Sequence, residues 1–261
     1  MERLDTDNLA ALLEISREAG KAVLDVYHSD FAVENKEDKS PLTLADKKSH
    51  EILSAFLSKN SAFPVLSEEG RDIPYGQRKN WERFWLIDPL DGTKEFIKRN
   101  GEFTINVALI RRGKPVAGII YAPVKDVLYH AVKGKGAYKI EAGRTLRLPD
   151  KNGNGTLTVA GSRSHGTGEL EEYVQGLRER YGEVALVSAG SSLKFCLVAE
   201  GLAHIYPRLG PTMEWDTAAG QVIVEEAGGR VVKAGSARPL EYNKENLLNP
   251  HFIAFRGDRY A

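Results

Sequence analysis

The feature that most constrains this chain is a run of four apolar residues, 84–87, that leads directly into two carboxylates flanking a proline. A short, continuous apolar run predicts a buried strand. Pro89 fixes its own φ, and we expect it to end that strand. Gly92 has access to backbone conformations closed to other residues. The chain should therefore turn sharply between Asp88 and Asp91, with both carboxylates aimed at one place.

Such a turn offers the oxygen ligands that hard divalent cations prefer. Asp88 and Asp91 supply carboxylates, and the Leu90 carbonyl lies between them. Two further acids stand where a sheet edge or a helix start would present them. Glu68 follows an apolar run at 63–66, and Asp216 opens a helical pattern. A Glu-Glu pair alone is more often a solvated loop, but the combination predicts a cation site.

Composition restricts the classes of ligand and the cellular location that we expect for this protein. Lys and Arg total 36, and Asp and Glu also total 36, which removes the charge argument for binding long nucleic acid. No apolar run approaches the roughly 20 residues of a transmembrane helix. The single cysteine, Cys196, fits a reducing cytoplasm. Peripheral association with the cytoplasmic face of an inner membrane remains compatible with these features.

The order of elements predicts two halves. Helical spacing indicates amphipathic helices within the first thirty residues and at 44–59, before antiparallel strands between 104 and 140. A polar, glycine-rich segment at 151–155 is the predicted boundary between an α+β half, 1–150, and an α/β half, 151–261.

The motifs together resemble the inositol monophosphatase-like, lithium-sensitive phosphatase superfamily. They are an Asp on an early helix, a Glu-Glu pair, Asp-Pro-Leu-Asp-Gly-Thr and Trp-Asp-x-Ala-Ala. Here they occur, in this order, at Asp46, 68–69, 88–93 and 215–219. The resemblance implies a layered αβαβα sandwich with the site between the two halves.

Within that superfamily the chain is most similar to the CysQ-type 3′(2′),5′-bisphosphate nucleotidases. The segments that carry this likeness are 94–97, 101–106, 190–196 and 206–212. The resemblance implies that adenosine 3′,5′-bisphosphate is hydrolysed to AMP and phosphate, with two Mg²⁺ ions and room for a third near Glu68. An inositol monophosphatase or a fructose-1,6-bisphosphatase remains an alternative, as does a non-catalytic nucleotide or metal sensor.

The resemblance also implies roles for individual residues. The metal ligands would be Glu68, Asp88, Leu90 through its carbonyl, Asp91 and Asp216. The catalytic residues would be Glu68 and Thr93, which contact the attacking water, and Asp46, which orients Thr93. The substrate would contact Glu68, Leu90, Asp91, Gly92, Thr93, Ser191, Lys194, Arg208 and Asp216.

A bisphosphate also needs a second anion site. Lys194 stands at the start of a predicted helix, where anions are favoured, and Arg208 carries a guanidinium that suits phosphate. The alternative for both is a solvated surface cation.

Overall fold

The computed structural model describes residues 6–29, 41–70, 72–150, 155–161 and 168–257. Two helices come first, followed by a seven-stranded sheet in the order β1-β2-β3-β4-β5-β6-β7. β1 is parallel to β2, and every later neighbour is antiparallel. The elements of this half are α1 (Thr6–Tyr27), α2 (Pro41–Asn60), β1 (Val65–Ser67), a 3₁₀ turn (Glu68–Gly70), α3 (Tyr75–Arg78), β2 (Arg83–Asp91), α4 (Thr93–Ile97), β3 (Thr104–Arg111), β4 (Lys114–Ala122), β5 (Val127–Val132), β6 (Gly136–Glu141) and β7 (Arg144–Arg147).

The second sheet has five strands in the order β11-β12-β10-β8-β9. Strands and helices alternate in the chain here, as the sequence pattern predicts. The elements are β8 (Leu157–Gly161), α5 (Gly168–Tyr181), β9 (Val184–Ser188), α6 (Leu193–Glu200), β10 (Ile205–Arg208), α7 (Glu214–Glu226), β11 (Arg230–Lys233) and β12 (Phe252–Phe255).

The layers stack as helix, sheet, helix, sheet, helix. α1 and α2 cover one face of the first sheet, and α7 lies across β2 to β6 on the other face. α6 and α7 also contact the second sheet, whose outer face packs against α5. The predicted αβαβα sandwich is therefore confirmed.

Helix α7 approaches the first sheet unusually closely at Gly118 of β4. A Cβ atom there would lie 2.7 Å from Val222 Cγ1 and 2.8 Å from the Ala219 Cα. Such distances are shorter than a side chain tolerates, so glycine permits the contact. The packing fixes the helix whose first turn carries Asp216.

The structure corrects the predicted end of one strand and contains three elements that the sequence pattern does not predict. β2 does not stop at Pro89 but runs to Asp91, with a register shift against β3 between Asp88 and Asp91. β1 pairs with β2 only opposite residues 85–87, so the missing proline N–H removes no bond from that ladder. The sequence reasoning also missed α3, α4 and the exposed edge strand β7.

The two sheets separate where the sequence predicts a boundary, but residues 151–154 lie outside the described residues. The division into halves 1–150 and 151–261 therefore stays a prediction. One buried apolar cluster contains side chains from both sheets, including Leu86 and Phe252. Among the described residues, no helix is long and apolar enough to cross a membrane.

Candidate active site

The parallel pairing of β1 and β2 places the first two acidic motifs side by side. Ser67 is the register partner of Ile87, so Glu68 and Asp88 follow at the same edge of the sheet. Asp88 is 1% exposed, and its Oδ1 accepts a hydrogen bond from the Leu90 N–H at 3.1 Å. Two carboxylates that are distant in the chain are thereby brought to one edge.

Helix α2 is hydrogen-bonded to both strand ends that carry these carboxylates. Ser49 Oγ donates to the Pro89 carbonyl at 2.8 Å, and His50 Nδ1 lies 2.9 Å from Ser67 Oγ. Asp46 lies one helical turn before His50. Its Oδ1 is buried without a hydrogen-bond partner among the described residues, so no bond joins Asp46 Oδ1 to Thr93.

Asp91 is held by donors from both halves of the fold. Its Oδ2 accepts hydrogen bonds from Ser191 Oγ at 2.5 Å, the Ser192 N–H at 2.7 Å and Asn106 Nδ2 at 3.3 Å. Ser191 has a φ of +53°, in the left-handed region that non-glycine residues seldom adopt. The turn before α6 thus takes a strained backbone conformation where it meets Asp91.

Asp216 lies in the first turn of α7. Its Oδ2 accepts a hydrogen bond from the Met213 N–H at 2.9 Å, which satisfies a backbone donor that the helix start leaves free. The carboxylate is therefore fixed to the helix start by its own backbone.

The four acids repel one another. Burial first, then Asp91, Glu68 and Asp216, raise the pKa of Asp88 well above its usual range. Burial and then Asp91 raise the pKa of Asp216 to about 8. Burial and the Glu68–Glu69 pair raise the pKa of Asp46 to about 8.

A buried group of like charges is unfavourable unless a counter-charge neutralises it. These side chains are oxygen donors of the type that hard divalent cations prefer. Asp46, whose Oδ1 has no hydrogen-bond partner among the described residues, is close enough to raise the pKa of Asp88. The donor set therefore fits divalent cations. In the described part of the chain, no three His, Cys, Asp or Glu side chains lie close enough together to form a ready-made metal site.

A cleft of about 110 Å³ opens beside Asp91 and Asp216. Both predicted phosphate-binding cations, Lys194 and Arg208, line it, and aromatic side chains form part of its wall. Its lining includes six of the predicted substrate-contacting residues: Asp91, Gly92, Ser191, Lys194, Arg208 and Asp216. Glu68 begins the 3₁₀ turn after β1, Asp88 and Leu90 lie near the end of β2, and Thr93 begins α4.

Lys194 is more buried than a solvated surface cation would be, at 4% exposed. Its Nζ donates to the carbonyls of Ala189 at 3.0 Å and Ser191 at 2.8 Å. Burial lowers the pKa of Lys194 to about 8 although Asp91 opposes the shift. Lys194 therefore stabilises the turn that holds Asp91 as well as lining the cleft.

Arg208 uses one guanidinium nitrogen within its own loop. Nη2 donates to the Pro211 carbonyl at 2.9 Å, whereas the buried Nε has no hydrogen-bond partner among the described residues. An unpartnered buried N–H in a cleft wall is a donor suited to an anionic ligand.

The inositol monophosphatase family profile matches residues 5–254 of this chain. The chain belongs to the inositol monophosphatase family. This confirms the family resemblance and explains why the acidic motifs converge across nearly the whole chain.

Several members of the inositol monophosphatase family are closely similar to this chain. The 3′(2′),5′-bisphosphate nucleotidase CysQ of Escherichia coli K12 is 48% identical over 94% of this chain and 98% of its own. The nucleotidase CysQ of Salmonella typhimurium is 49% identical with the same coverage. A crystal structure of CysQ from Bacteroides thetaiotaomicron is 46% identical over 97% of this chain and 98% of its own, with a TM-score of 0.92.

The sequence reasoning did not single out the side chains that surround Asp91 from β3. Thr104 and Asn106 lie on a strand with buried residues on both sides, where a polar residue was the available signal. Thr104, Asn106 and Ser192 all fall within the segments 101–106 and 190–196 that carry the family likeness, but the sequence does not assign them to the site.

Proposed function

We propose that this chain is a Mg²⁺-dependent 3′(2′),5′-bisphosphate nucleotidase that hydrolyses adenosine 3′,5′-bisphosphate to AMP and phosphate. The main support is about 48% identity, over nearly the full length of both chains, to proteins of that name. The cleft supports it too, because an acidic group adjoins two cations, as a substrate with two phosphates requires.

The residues that would hold the Mg²⁺ ions are Glu68, Asp88, the Leu90 carbonyl, Asp91 and Asp216. Their burial and mutual repulsion favour a bound divalent charge over the empty anionic cluster. When bound, such ions lower the pKa of a water molecule and neutralise charge on the phosphate.

The reaction forms a bond between a water oxygen and phosphorus, breaks the P–O bond to the ribose and returns one proton to the leaving oxygen. Glu68 and the Thr93 hydroxyl would orient the water and remove its proton. Asp46 would orient Thr93 through its Oδ1, which is buried without a hydrogen-bond partner among the described residues.

The second phosphate would be bound on the opposite wall of the cleft. Arg208 offers its unpartnered Nε, and Lys194 offers a buried positive charge. Tyr206, Phe195 and Phe252 give this wall apolar surface that suits a nucleoside.

The deciding experiment measures phosphate release with Mg²⁺ from adenosine 3′,5′-bisphosphate, inositol 1-phosphate and fructose 1,6-bisphosphate in parallel. We expect kcat/KM to be highest for the nucleotide by at least about 10²-fold, since a built second phosphate site serves only a matching bisphosphate. Higher kcat/KM for either sugar phosphate would assign the protein to that activity. A lack of Mg²⁺-dependent release from all three would favour a sensor.

The proposal includes a cytoplasmic location. The single cysteine, Cys196, is a buried residue of α6 and takes no part in the site. The only partner that the proposed activity requires is a small-molecule nucleotide.

A further inference from the structure

The three groups that bind Asp91 converge on one side chain that does not itself touch Asp91. Thr104 Oγ1 lies 2.5 Å from Ser191 Oγ, 2.7 Å from Ser192 Oγ and 3.2 Å from Asn106 Oδ1. Ser191, Ser192 and Asn106 are the residues whose hydroxyl, backbone N–H and amide donate to Asp91 Oδ2.

Three members of this cluster are closed to solvent, whereas Ser191 borders the cleft. Thr104 is 0% exposed, Asn106 1% and Ser192 2%. Ser192 Oγ also donates to Asn106 Oδ1 at 2.8 Å, which closes a ring of polar groups around the threonine hydroxyl. Buried polar groups with satisfied partners rigidify their surroundings, whereas unsatisfied ones are costly.

The proton count gives Thr104 a defined task. Ser191 donates its proton to Asp91, and Ser192 donates its proton to Asn106 Oδ1. Thr104 Oγ1 donates to Asn106 Oδ1 at 3.2 Å and lies against both serine oxygens, whose own protons are directed to Asp91 and Asn106. The threonine hydroxyl therefore aligns donors that belong to different halves of the fold, since Thr104 and Asn106 are on β3 and the serines precede α6.

The position is set by the fold. Thr104 is the register partner of Asp91 immediately after the irregularity in the β2–β3 ladder. The turn before α6 is pressed close on the other side, because a Cβ at Gly190 would lie 2.7 Å from the Glu102 carbonyl oxygen. The turn that carries Ser191 and Ser192 is therefore packed closely against the residues that precede β3.

We infer that Thr104 is a positioning residue that sets the orientation of Asp91 and, through it, the affinity of the site for divalent cations. This inference rests on the proposed function, in which Asp91 is a metal ligand. Groups that orient a metal ligand typically affect metal affinity by about 10- to 100-fold when they are removed.

The test substitutes Thr104→Val, which keeps the shape and removes the hydroxyl. We expect the Kd for Mn²⁺, measured by titration calorimetry without substrate, to rise by about 10-fold or more. In assays with a nucleotide bisphosphate, the metal concentration for half-maximal rate should rise equally. The kcat at saturating metal should fall by less than about 3-fold, because the ligands themselves are intact.

Two further variants separate positioning from general destabilisation. Thr104→Ser retains the hydroxyl and should keep the Kd within about 3-fold of that of the unchanged protein. Thr158→Val makes the same change at another buried strand threonine, whose hydroxyl donates to the Thr156 carbonyl away from the site, and should leave the Kd unaltered. If Thr104→Val does not fold, Ser192→Ala takes its place, since it removes the linked hydroxyl and leaves the Ser192 N–H to Asp91.

The outcomes distinguish the inference from the proposed function. If the unchanged protein binds Mn²⁺ and hydrolyses the nucleotide but Thr104→Val has the same Kd, the inference is wrong and the proposed function stands. A loss of stability in Thr104→Val with an unchanged Kd would also overturn it. If the unchanged protein neither binds the metal nor releases phosphate, the proposed function is wrong, and the inference with it.

Discussion

Asp88 occupies the most demanding position of any single residue in the site. It is fully buried near the end of β2, and four other carboxylates oppose its ionisation. A buried acid in this position is costly to the fold unless it serves a charge that arrives from outside. The side chain therefore indicates function more strongly than stability.

We predict that Asp88→Asn lowers kcat by at least about 10²-fold, because it removes one negative charge from the centre of the acidic group. The free energy of unfolding without metal should stay equal or rise, since one source of repulsion is lost. Steady-state kinetics at saturating Mg²⁺ and urea denaturation measure the two effects. Near-normal turnover would show that Asp88 is not a metal ligand.

Lys194 lends itself to a second test. Lys194→Met keeps most of the buried length but removes the charge and both carbonyl contacts. We expect KM for adenosine 3′,5′-bisphosphate to rise by about 10-fold or more, since one charge-assisted phosphate contact is lost. KM for a nucleoside monophosphate substrate should rise less. An equal rise for both substrates would leave Lys194 a role in the turn and remove it from phosphate recognition.

Much of the site could be predicted at the residue scale, and the reason is local. Asp88, Leu90, Asp91 and Gly92 lie within one short motif, so their chemistry is visible in the sequence. Two donors to Asp91, Ser192 and Asn106, are not predicted from the sequence, because the turn before α6 meets β3 only when the two halves of the fold pack. Pro89 misled the reasoning, since a proline inside a strand is tolerated where the neighbouring ladder has already ended.

At the scale of elements, the site depends on how α7 is docked. The helix carries Asp216 in its first turn and lies against the first sheet at Gly118. A strand pattern predicts β4, but it does not predict that a helix from the other half requires a bare backbone at this residue.

We predict that Gly118→Ala destabilises the protein by about 1–3 kcal/mol, because the added methyl group overpacks the contact with Ala219 and Val222. Gly176 provides the control, because a Cβ there, on α5, meets nothing within 4 Å. Gly176→Ala should be neutral or stabilise by about 1 kcal/mol, as alanine favours a helix over glycine. Urea unfolding of both variants checks this, and equal stability of the two would contradict the close docking of α7.

The whole molecule combines buried groups whose charges respond to pH in opposite directions. The pKa values of Asp46 and Asp216 are raised to about 8. These two groups therefore stabilise the folded state in acid, and their contribution to the free energy of unfolding is lost as the pH rises through those pKa values. His130 acts in the opposite sense. It is 8% exposed, and burial lowers its pKa from about 6.5 to about 4.

The imidazole of His130 must therefore stay neutral in the fold while the unfolded chain can protonate it. Its contribution to stability is complete above about pH 6.5 and falls as pH decreases toward 4, by about 3 kcal/mol. We predict that His130→Phe, which preserves the stacking against Tyr138 and removes a buried nitrogen without a described partner, abolishes this part of the pH dependence.

The check is urea unfolding of the unchanged protein and of His130→Phe at several values between pH 4 and 7. The difference in unfolding free energy should grow toward low pH in favour of the phenylalanine variant. The exposed His251 supplies a control, since His251→Gln should follow the unchanged protein throughout. A difference that does not vary with pH would contradict the assignment.

The central claim is that oxygen donors distant in the chain meet around divalent cations. A crystal grown with Mn²⁺ tests it most directly, through anomalous scattering at the manganese absorption edge. We expect two peaks, about 4 Å apart, between Glu68, Asp88, the Leu90 carbonyl, Asp91 and Asp216. No anomalous peak among these groups, with their side chains directed apart, would contradict the claim.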